Sequence, residues 1–470
     1  MDEVRLSSLE DEAENAVLSE RVREHNPVHQ FVQCGAPAIS QLWIACALLF
    51  ILALAVFHRA LVFVPENGDD LRLLSFVAHT TQPLKPLIGD WGAAPYETGN
   101  YGEYRPIHPI SLWVVYKFFG IRSFPNQFIN FALHFINALL LMILIWRIQR
   151  DPIVAFMGAS LFLVSVHTMS PTIWVSDRAT LQVGLALLLL IYHFVHVRET
   201  GGKLCNWYVF LLCLLALLSK ESGLIVPMLA IVASVRLEGP TLVKRIRSAA
   251  IWFAVIGVYL LGRFLMFGTN AVSYSTFGYL FGVRQYDLGS ALPPYLQKIA
   301  LIDNVVKNVV EVFVPIFNNE GGFKAASAGM ALGVGLGALA MVFLVVLAIK
   351  GKLSPLQIDC LWVVLFTAVV HHLIFRYRIL YTSQIAICLL IACAPSLSDI
   401  RRRTAAVAAA CLLLTVSTVR VDNYVQSEYL IRYNDLNHYK LAHTLQSFAG
   451  RRIDPQLAQQ ILQRYRDKGY

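Results

Sequence analysis

The sequence predicts an all-α polytopic membrane protein, and three observations carry that prediction. Only 15% of its 470 residues are charged while 57% are hydrophobic, whereas soluble domains carry about 25% charged residues. Apolar runs of about 15–25 residues recur along the chain, the length a helix needs to cross a bilayer. Lys and Arg gather in short segments between those runs, as in membrane proteins whose basic loops stay on the cytoplasmic side. The same clustering accounts for the formal net charge of +9 without a nucleic-acid partner.

Residues 1–38 are polar, with Asp2, Glu3, Glu10, Asp11, Glu12 and Glu14 among them, and lack the apolar stretch of a signal peptide. The first span is expected at about 42–64. Further spans follow at about 126–146, 152–168, 179–197, 206–219, 222–236, 247–268, 327–349, 356–374, 379–394 and 404–419, about eleven in all. Several fall short of the ~20 residues of a full crossing; such helices persist where protein covers their ends. Residues 206–236 also fit one bent span. Two short ones are assigned, because a merger would move the last two basic clusters to the other side.

With a cytoplasmic amino terminus, the segments holding Arg147/Arg150, Arg198/Lys203, Arg236/Lys244/Arg245/Arg247, Lys350/Lys352 and Arg401–Arg403 all fall inside. Outside lie 65–125, 169–178, 269–326 and the tail. The layout is therefore a segment at 1–38, a transmembrane domain at 39–420 and a short helical tail at 421–470. The first outer loop, 65–125, is long, charged and aromatic, and is expected to carry short helices and function. In the 269–326 loop, Leu296, Ile299, Ile302, Val306 and Val309 recur at helical spacing, which reads as a helix on the membrane surface. The eight cysteines form no CxxC pair and none lies in an outer loop, so no disulfide is expected.

Ionisable residues at the ends of spans are the best functional pointers in such a chain. On the outer side they are Asp69 and Asp70 in "ENGDDLRLLSFV"; Glu103, Arg105 and His108 in "EYRPIHPIS"; His167, Asp177 and Arg178 in "SVHTMSPTIWVSDRAT"; and Lys220 and Glu221 in "LLSKESGL". Arg263 and the segment "HHLIFRYRILYTS", with His371, His372, Arg376, Arg378 and Tyr381, complete the set. Structural readings compete. The aspartates fit a helix cap, although capping occupies only one of them. Lys220–Glu221 fits a mutual ion pair, Arg263 a snorkelling cation, His167 a satisfied interior histidine, and Asp177–Arg178 a helix start. As chemistry, an acid at an outer lip serves as general base. It also serves as ligand to a divalent ion (Mg or Mn), with Asp69, Asp70 and His108 as candidates. Arginines and a lysine on the same face clamp a phosphate. The combination points to group transfer from a lipid-linked phosphate donor.

These motifs, in this order, resemble the GT-C superfamily of membrane glycosyltransferases, most closely the transmembrane and TPR-containing O-mannosyltransferases. "YRPIHPIS" at 104–111 is similar to that family's Tyr-Arg-Pro stretch, and "FINFALHFINALLL" at 128–141 to its Asn-plus-His helix. "VHTMSPTIWVSDRATL" resembles its His-Pro loop and acid/Arg pair, "ALLSKESGLIV" its Ser-Lys-Glu motif, and "RYRILYTSQIAICLLIA" its Arg-x-Leu-Tyr-x-x-Ser segment. The likeness runs over about 65–440. It departs where tandem TPR repeats are absent, where Tyr377 rather than an acid precedes Arg378, and where "HTMSP" replaces His-Pro.

The resemblance implies a GT-C-like bundle and inverting transfer of a sugar, mannosyl foremost, from a polyprenyl-phosphate donor. The acceptor would be a glycan, lipid or protein on the outer or lumenal face. The location it implies is a bacterial inner membrane, or the endoplasmic reticulum in a eukaryote. It makes Asp70 or Asp69 the base and turns Arg105, Lys220, Arg378 and Arg263 toward the phosphate. Glu221, Asp177, Arg178, His167 and Tyr381 become supports or donor contacts. Three alternatives stand beside it. They are an O-antigen-ligase-like enzyme using a pyrophosphate-linked donor, a transporter of lipid-linked glycans, for which the expected internal symmetry is not seen, and a non-catalytic membrane scaffold.

Overall fold

The computed structural model describes residues 36–62, 73, 77, 104–120, 123–204, 206–237, 242–267, 346–347, 350–370, 380–393 and 418–419. Asp69, Asp70, Glu103, His371, His372, Arg376 and Arg378 lie outside the described residues, as do the 269–326 loop and the 421–470 tail. So do most of the spans expected at 327–349 and 404–419.

Among the described residues the structure is helical, without strands. Helix α1 is Ala36–Phe57, extended by a 3-10 turn His58–Val62. Helix α2, Ile107–Phe119, starts behind Pro106 and ends at Gly120, whose φ of 66° suits a residue without Cβ. Helix α3 is Ser123–Gln149 and α4 is Pro152–Leu163. The Asp151 carboxylate accepts from the amides of Ile153 and Val154, and proline occupies the first position of α4, where no N–H is needed. Helix α5, Val166–Ile173, begins at the cap Ser165; after the 3-10 turn Val175–Asp177, α6 runs over Arg178–Thr200. Then come α7 (Trp207–Ser219), a 3-10 turn Glu221–Leu224, α8 (Ile225–Leu237), α9 (Leu242–Phe267), α10 (Pro355–Val370) and α11 (Tyr381–Ala392). Four of the described helical stretches are long and apolar enough to cross a membrane: Ser40–Leu61, Phe124–Gln149, Val175–Thr200 and Leu242–Leu265. The α4–α5 pair adds a fifth if counted as one span.

Helix α6 is the axis of the bundle, buried over most of its length from Arg178 to Val197. Around it α1, α3, α4, α7, α8, α10 and α11 share one apolar core. Side-chain bonds fix the directions. Asn206, before α7, pairs with His193 late in α6, while Lys220, after α7, bonds Asp177 just before α6, so α7 and α6 are antiparallel. Arg236 at the end of α8 and Arg198 at the end of α6 both hold Asp359 near the start of α10. Residues 206–237 are therefore two antiparallel helices rather than one bent helix. Their turn is tight: a Cβ on Gly223 would stand 2.0 Å from the Ala216 carbonyl oxygen, so only glycine fits. The Trp252 indole donates to Ser234 Oγ and Arg263 meets Glu221, which makes α9 antiparallel to α8. The bundle thus has one end marked by Arg147, Arg198 and Arg236 and an opposite end marked by Arg105, Asp177, Lys220, Glu221 and Arg263.

The span expected at 152–168 is broken instead. Helix α4 stops at Leu163, and α5 leaves at a bend of 63°. A break inside an apolar bundle frees carbonyls that water cannot reach, and polar side chains of α3 meet them. His134 Nε2 bonds the Leu163 carbonyl at 3.0 Å, Gln127 donates to Ile173 at 3.0 Å, and Asn130 donates to the Trp174 carbonyl at 2.8 Å. Thr168 Oγ1 donates to the Phe162 carbonyl at 3.0 Å. Gln127, Asn130, His134 and Asn137 recur every three or four residues, so they form one polar stripe down an apolar helix.

Candidate functional site

The end of the bundle opposite Arg198 and Arg236 gathers the charged residues singled out by sequence. The α7–α8 turn supplies two of them, and their backbone is set by the close contact at Gly223. Lys220 is extended (φ −161°, ψ 154°) and Glu221 opens the 3-10 turn, so their side chains diverge toward different partners. Lys220 Nζ donates to Asp177 Oδ1 at 2.7 Å and to Thr180 Oγ1 at 2.6 Å, and Thr180 closes the triangle with a 2.6 Å bond to the same carboxylate oxygen. Glu221 Oε2 accepts from Arg105 Nε at 2.7 Å, while Oε1 lies 3.4 Å from Arg263 Nη1. Arg263 also donates to Tyr259 Oη at 3.2 Å.

Among the described residues, Arg105, Arg178, Lys220 and Arg263 thus stand with Asp177 and Glu221, four positive charges with two negative. Burial pushes the Glu221 carboxyl up, but Arg105 and Arg263 more than reverse this and hold it below the ordinary carboxylate value. Glu221 is therefore ionised at neutral pH. His108 is fully buried in the first turn of α2. Burial first, then the fields of Arg178 and Arg105, keep it neutral well below the usual histidine pKa. His108 therefore adds no charge to these six described side chains at physiological pH. Arg105 and Lys220 retain 18% and 14% of their side-chain exposure, against 5% for Arg263.

Arg178 is placed differently. It is wholly buried, and its guanidinium donates to Asn130 Oδ1 at 2.7 Å, to the Asn126 carbonyl at 3.0 Å, to Asn126 Oδ1 at 3.1 Å and to Ser111 Oγ at 3.4 Å. It is a strut joining α6 to α3 and α2. His167 is buried in the first turn of α5, its backbone N–H donating to Ser165 Oγ. Tyr381 stands apart from the charged cluster, within the apolar core. The Leu163 carbonyl can only accept, so His134 carries its proton on Nε2. Tyr381 then donates to His134 Nδ1 at 3.0 Å and accepts from Asn137 at 2.9 Å. Its ring packs on Gly184, where an added Cβ would approach 2.5 Å.

Sequence reasoning did not assign Asn126, Asn130, Thr180 or Tyr259 to the site. For the asparagines a signal was present: polar residues at helical spacing in an otherwise apolar run. Thr180 and Tyr259 gave none, since single hydroxyls in such runs are common. Near this end, Leu73 and Val77 are buried together with Leu112 of α2 and Val175 of the 3-10 turn. Among the described residues, no three or more His, Cys, Asp or Glu side chains gather as a metal-holding group. Comparison with protein-family models, curated proteins and solved structures gives no match to this chain.

Proposed function

We propose that the chain is a GT-C-type membrane glycosyltransferase that moves a sugar, mannosyl foremost, from a polyprenyl-phosphate donor to an acceptor on the outer or lumenal face. One observation carries the reading: Arg105 and Lys220, each partly exposed, join Arg263, Asp177 and Glu221 in one charged cluster at the end of the bundle opposite Arg198 and Arg236. In this reaction an acceptor hydroxyl gives its proton to Asp70 or Asp69. Its oxygen attacks the anomeric carbon, and the carbon–oxygen bond to phosphate breaks with both electrons on the leaving oxygen. A single displacement inverts the anomeric centre, and the leaving phosphate gains one negative charge. Arg105 and Lys220 answer that charge as it develops, which stabilises the transition state more than the ground state.

Chain length supports a position for the acidic pair near the cluster. Leu73, three residues after Asp70 and hence at most about 11 Å of chain away, packs in one buried group with Val175, two residues before Asp177. Of the candidate metal ligands, His108 is the one described. It lies in the field of Arg178, Arg105 and Lys220 against Asp177, which disfavours a cation, so no step is assigned to a metal.

The test is transfer of radiolabelled hexose from synthetic polyprenyl-phosphate donors by the full chain in proteoliposomes. Asp69→Asn or Asp70→Asn abolishes turnover, while Lys220→Met and Arg105→Gln raise the donor KM. Full activity in both aspartate variants would refute the mechanism.

A further inference from the structure

Glu221 uses only half of its carboxylate. Oε2 is held by Arg105, but Oε1 is buried and takes no hydrogen bond from the described residues; its ion-pair neighbour, Arg263 Nη1, stands off at 3.4 Å. A buried carboxylate oxygen without a donor is costly. The close approach of Gly223 to the Ala216 carbonyl fixes the backbone turn that carries Glu221. As an ionised group it accepts only. Oε1 is therefore an acceptor without a hydrogen-bond donor among the described residues, beside the arginine that Oε2 holds.

Resting on the transferase reading above, we infer that Glu221 Oε1 accepts a hydrogen bond from a hydroxyl of the transferred sugar and so determines which sugar is used. Of the three parts of a lipid-phosphate sugar, the isoprenoid chain has no donor and the phosphodiester has none. The sugar alone carries hydroxyl groups, and it is joined directly to the phosphate that Arg105 meets. Reading a hydroxyl with a buried, fixed acceptor is also the arrangement that discriminates most strongly, since the analogue lacking the hydroxyl leaves the acceptor bare. Glu221 thereby has two tasks on two oxygens: Oε2 orients Arg105 and Oε1 reads the sugar.

The experiment compares the complete polyprenyl-phosphate mannose with its monodeoxy series, in the wild-type full chain and in Glu221→Gln, scoring kcat/KM for transfer. In the wild type, removal of one particular hydroxyl costs about ten-fold or more, and the other positions cost much less. In Glu221→Gln that preference falls to within a few-fold, while the ranking of the remaining donors is kept. If Glu221 only holds arginines, or if water alone occupies Oε1, Glu221→Gln slows every donor by the same factor, and the inference is overturned. A wild-type profile with no selective position overturns it too, without any variant having to fold. Wild-type protein that uses no polyprenyl-phosphate hexose at all overturns the transferase reading instead, and this assignment with it.

Discussion

Arg178→Lys separates a strut from a ligand-binding arginine. The native guanidinium makes three contacts between 2.7 and 3.1 Å, on Asn130 Oδ1, the Asn126 carbonyl and Asn126 Oδ1. A lysine ammonium is a point donor on a flexible stem and cannot reproduce that planar fork. It keeps one or two of these bonds. Each lost bond from a charged donor is worth about 1.5–3 kcal/mol, and an acceptor left bare in the core adds to the loss. One or two such losses come to about 2–5 kcal/mol, drawn from the contacts that hold α6 against α3. The assay is thermal unfolding of the purified protein in detergent, paired with donor affinity measured on the folded fraction. Arg178→Lys lowers the melting temperature clearly and leaves donor Kd within about three-fold of wild type. Arg105→Gln does the reverse, weakening the donor with a small effect on melting. An unchanged melting temperature with donor binding weakened ten-fold would show that Arg178 reaches the phosphate and that the strut is misassigned.

Asp359→Asn leaves two buried-end arginines facing each other without their carboxylate and costs about 3–5 kcal/mol; restoring stability with Arg198→Met and Arg236→Met in the same chain, scored by melting temperature, tests that ascription. His108 gives a pH dependence. Its folded pKa lies well below the unfolded value near 6.5, so the unfolded chain binds the proton first. The stability tied to its neutrality is therefore full above about pH 6.5 and is lost as pH falls from there toward the folded pKa. His108→Gln flattens the melting curve across that window, and an unaltered slope counts against it. Leu73→Ala removes a wholly buried side chain that packs with Leu112 and Val175, at about 2–5 kcal/mol if the cost is felt globally. Because the residue lies three positions from Asp70, transfer falls at least ten-fold even in protein that remains folded; unchanged turnover would detach this contact from the acidic pair.

Much of this was legible in the sequence, for reasons that can be traced. Membrane-spanning character follows from run length and charge, and the four long apolar helices lie where runs of about 20 apolar residues stand. That Arg105, Asp177, Lys220, Glu221 and Arg263 share one end followed from counting crossings, with the 206–236 segment as the step that had to be right. The break after Leu163 was not visible. Apolar residues run through it from Leu161 to Val166, and Ser165, the cap of α5, is one small polar residue among many. What makes the break tolerable is long-range: His134, 29 positions earlier, bonds Leu163. Helix α2 is one of the short helices expected in the 65–125 loop. Its bounds were not legible, because His108, Pro109 and Ser111 interrupt the apolar pattern after the local signal at Pro106. Tyr381 was drawn toward the site by its nearness to Arg378 in sequence, whereas its hydroxyl is engaged in the core by His134 and Asn137.

The two ends of the bundle hold the same three charges in different states of completion. Each has one carboxylate between two arginines. At Asp359 both oxygens are used, by Arg198 and Arg236 at 2.5 Å each, and the side chain is 1% exposed. Both carboxylate oxygens are engaged, and the triad ties α6, α8 and α10 together. At Glu221 one oxygen is used at 2.7 Å, the second arginine stands off at 3.4 Å, and Glu221 and Arg105 each keep 18% exposure. Composition does not distinguish these triads, and neither does net charge. The carboxylates do: both oxygens of Asp359 accept hydrogen bonds, whereas Glu221 Oε1 accepts none from a described residue. The proposed sugar contact rests on that difference. Glu221→Asp tests it: the shorter carboxylate withdraws from Arg105 and Arg263, so melting temperature and donor affinity fall together.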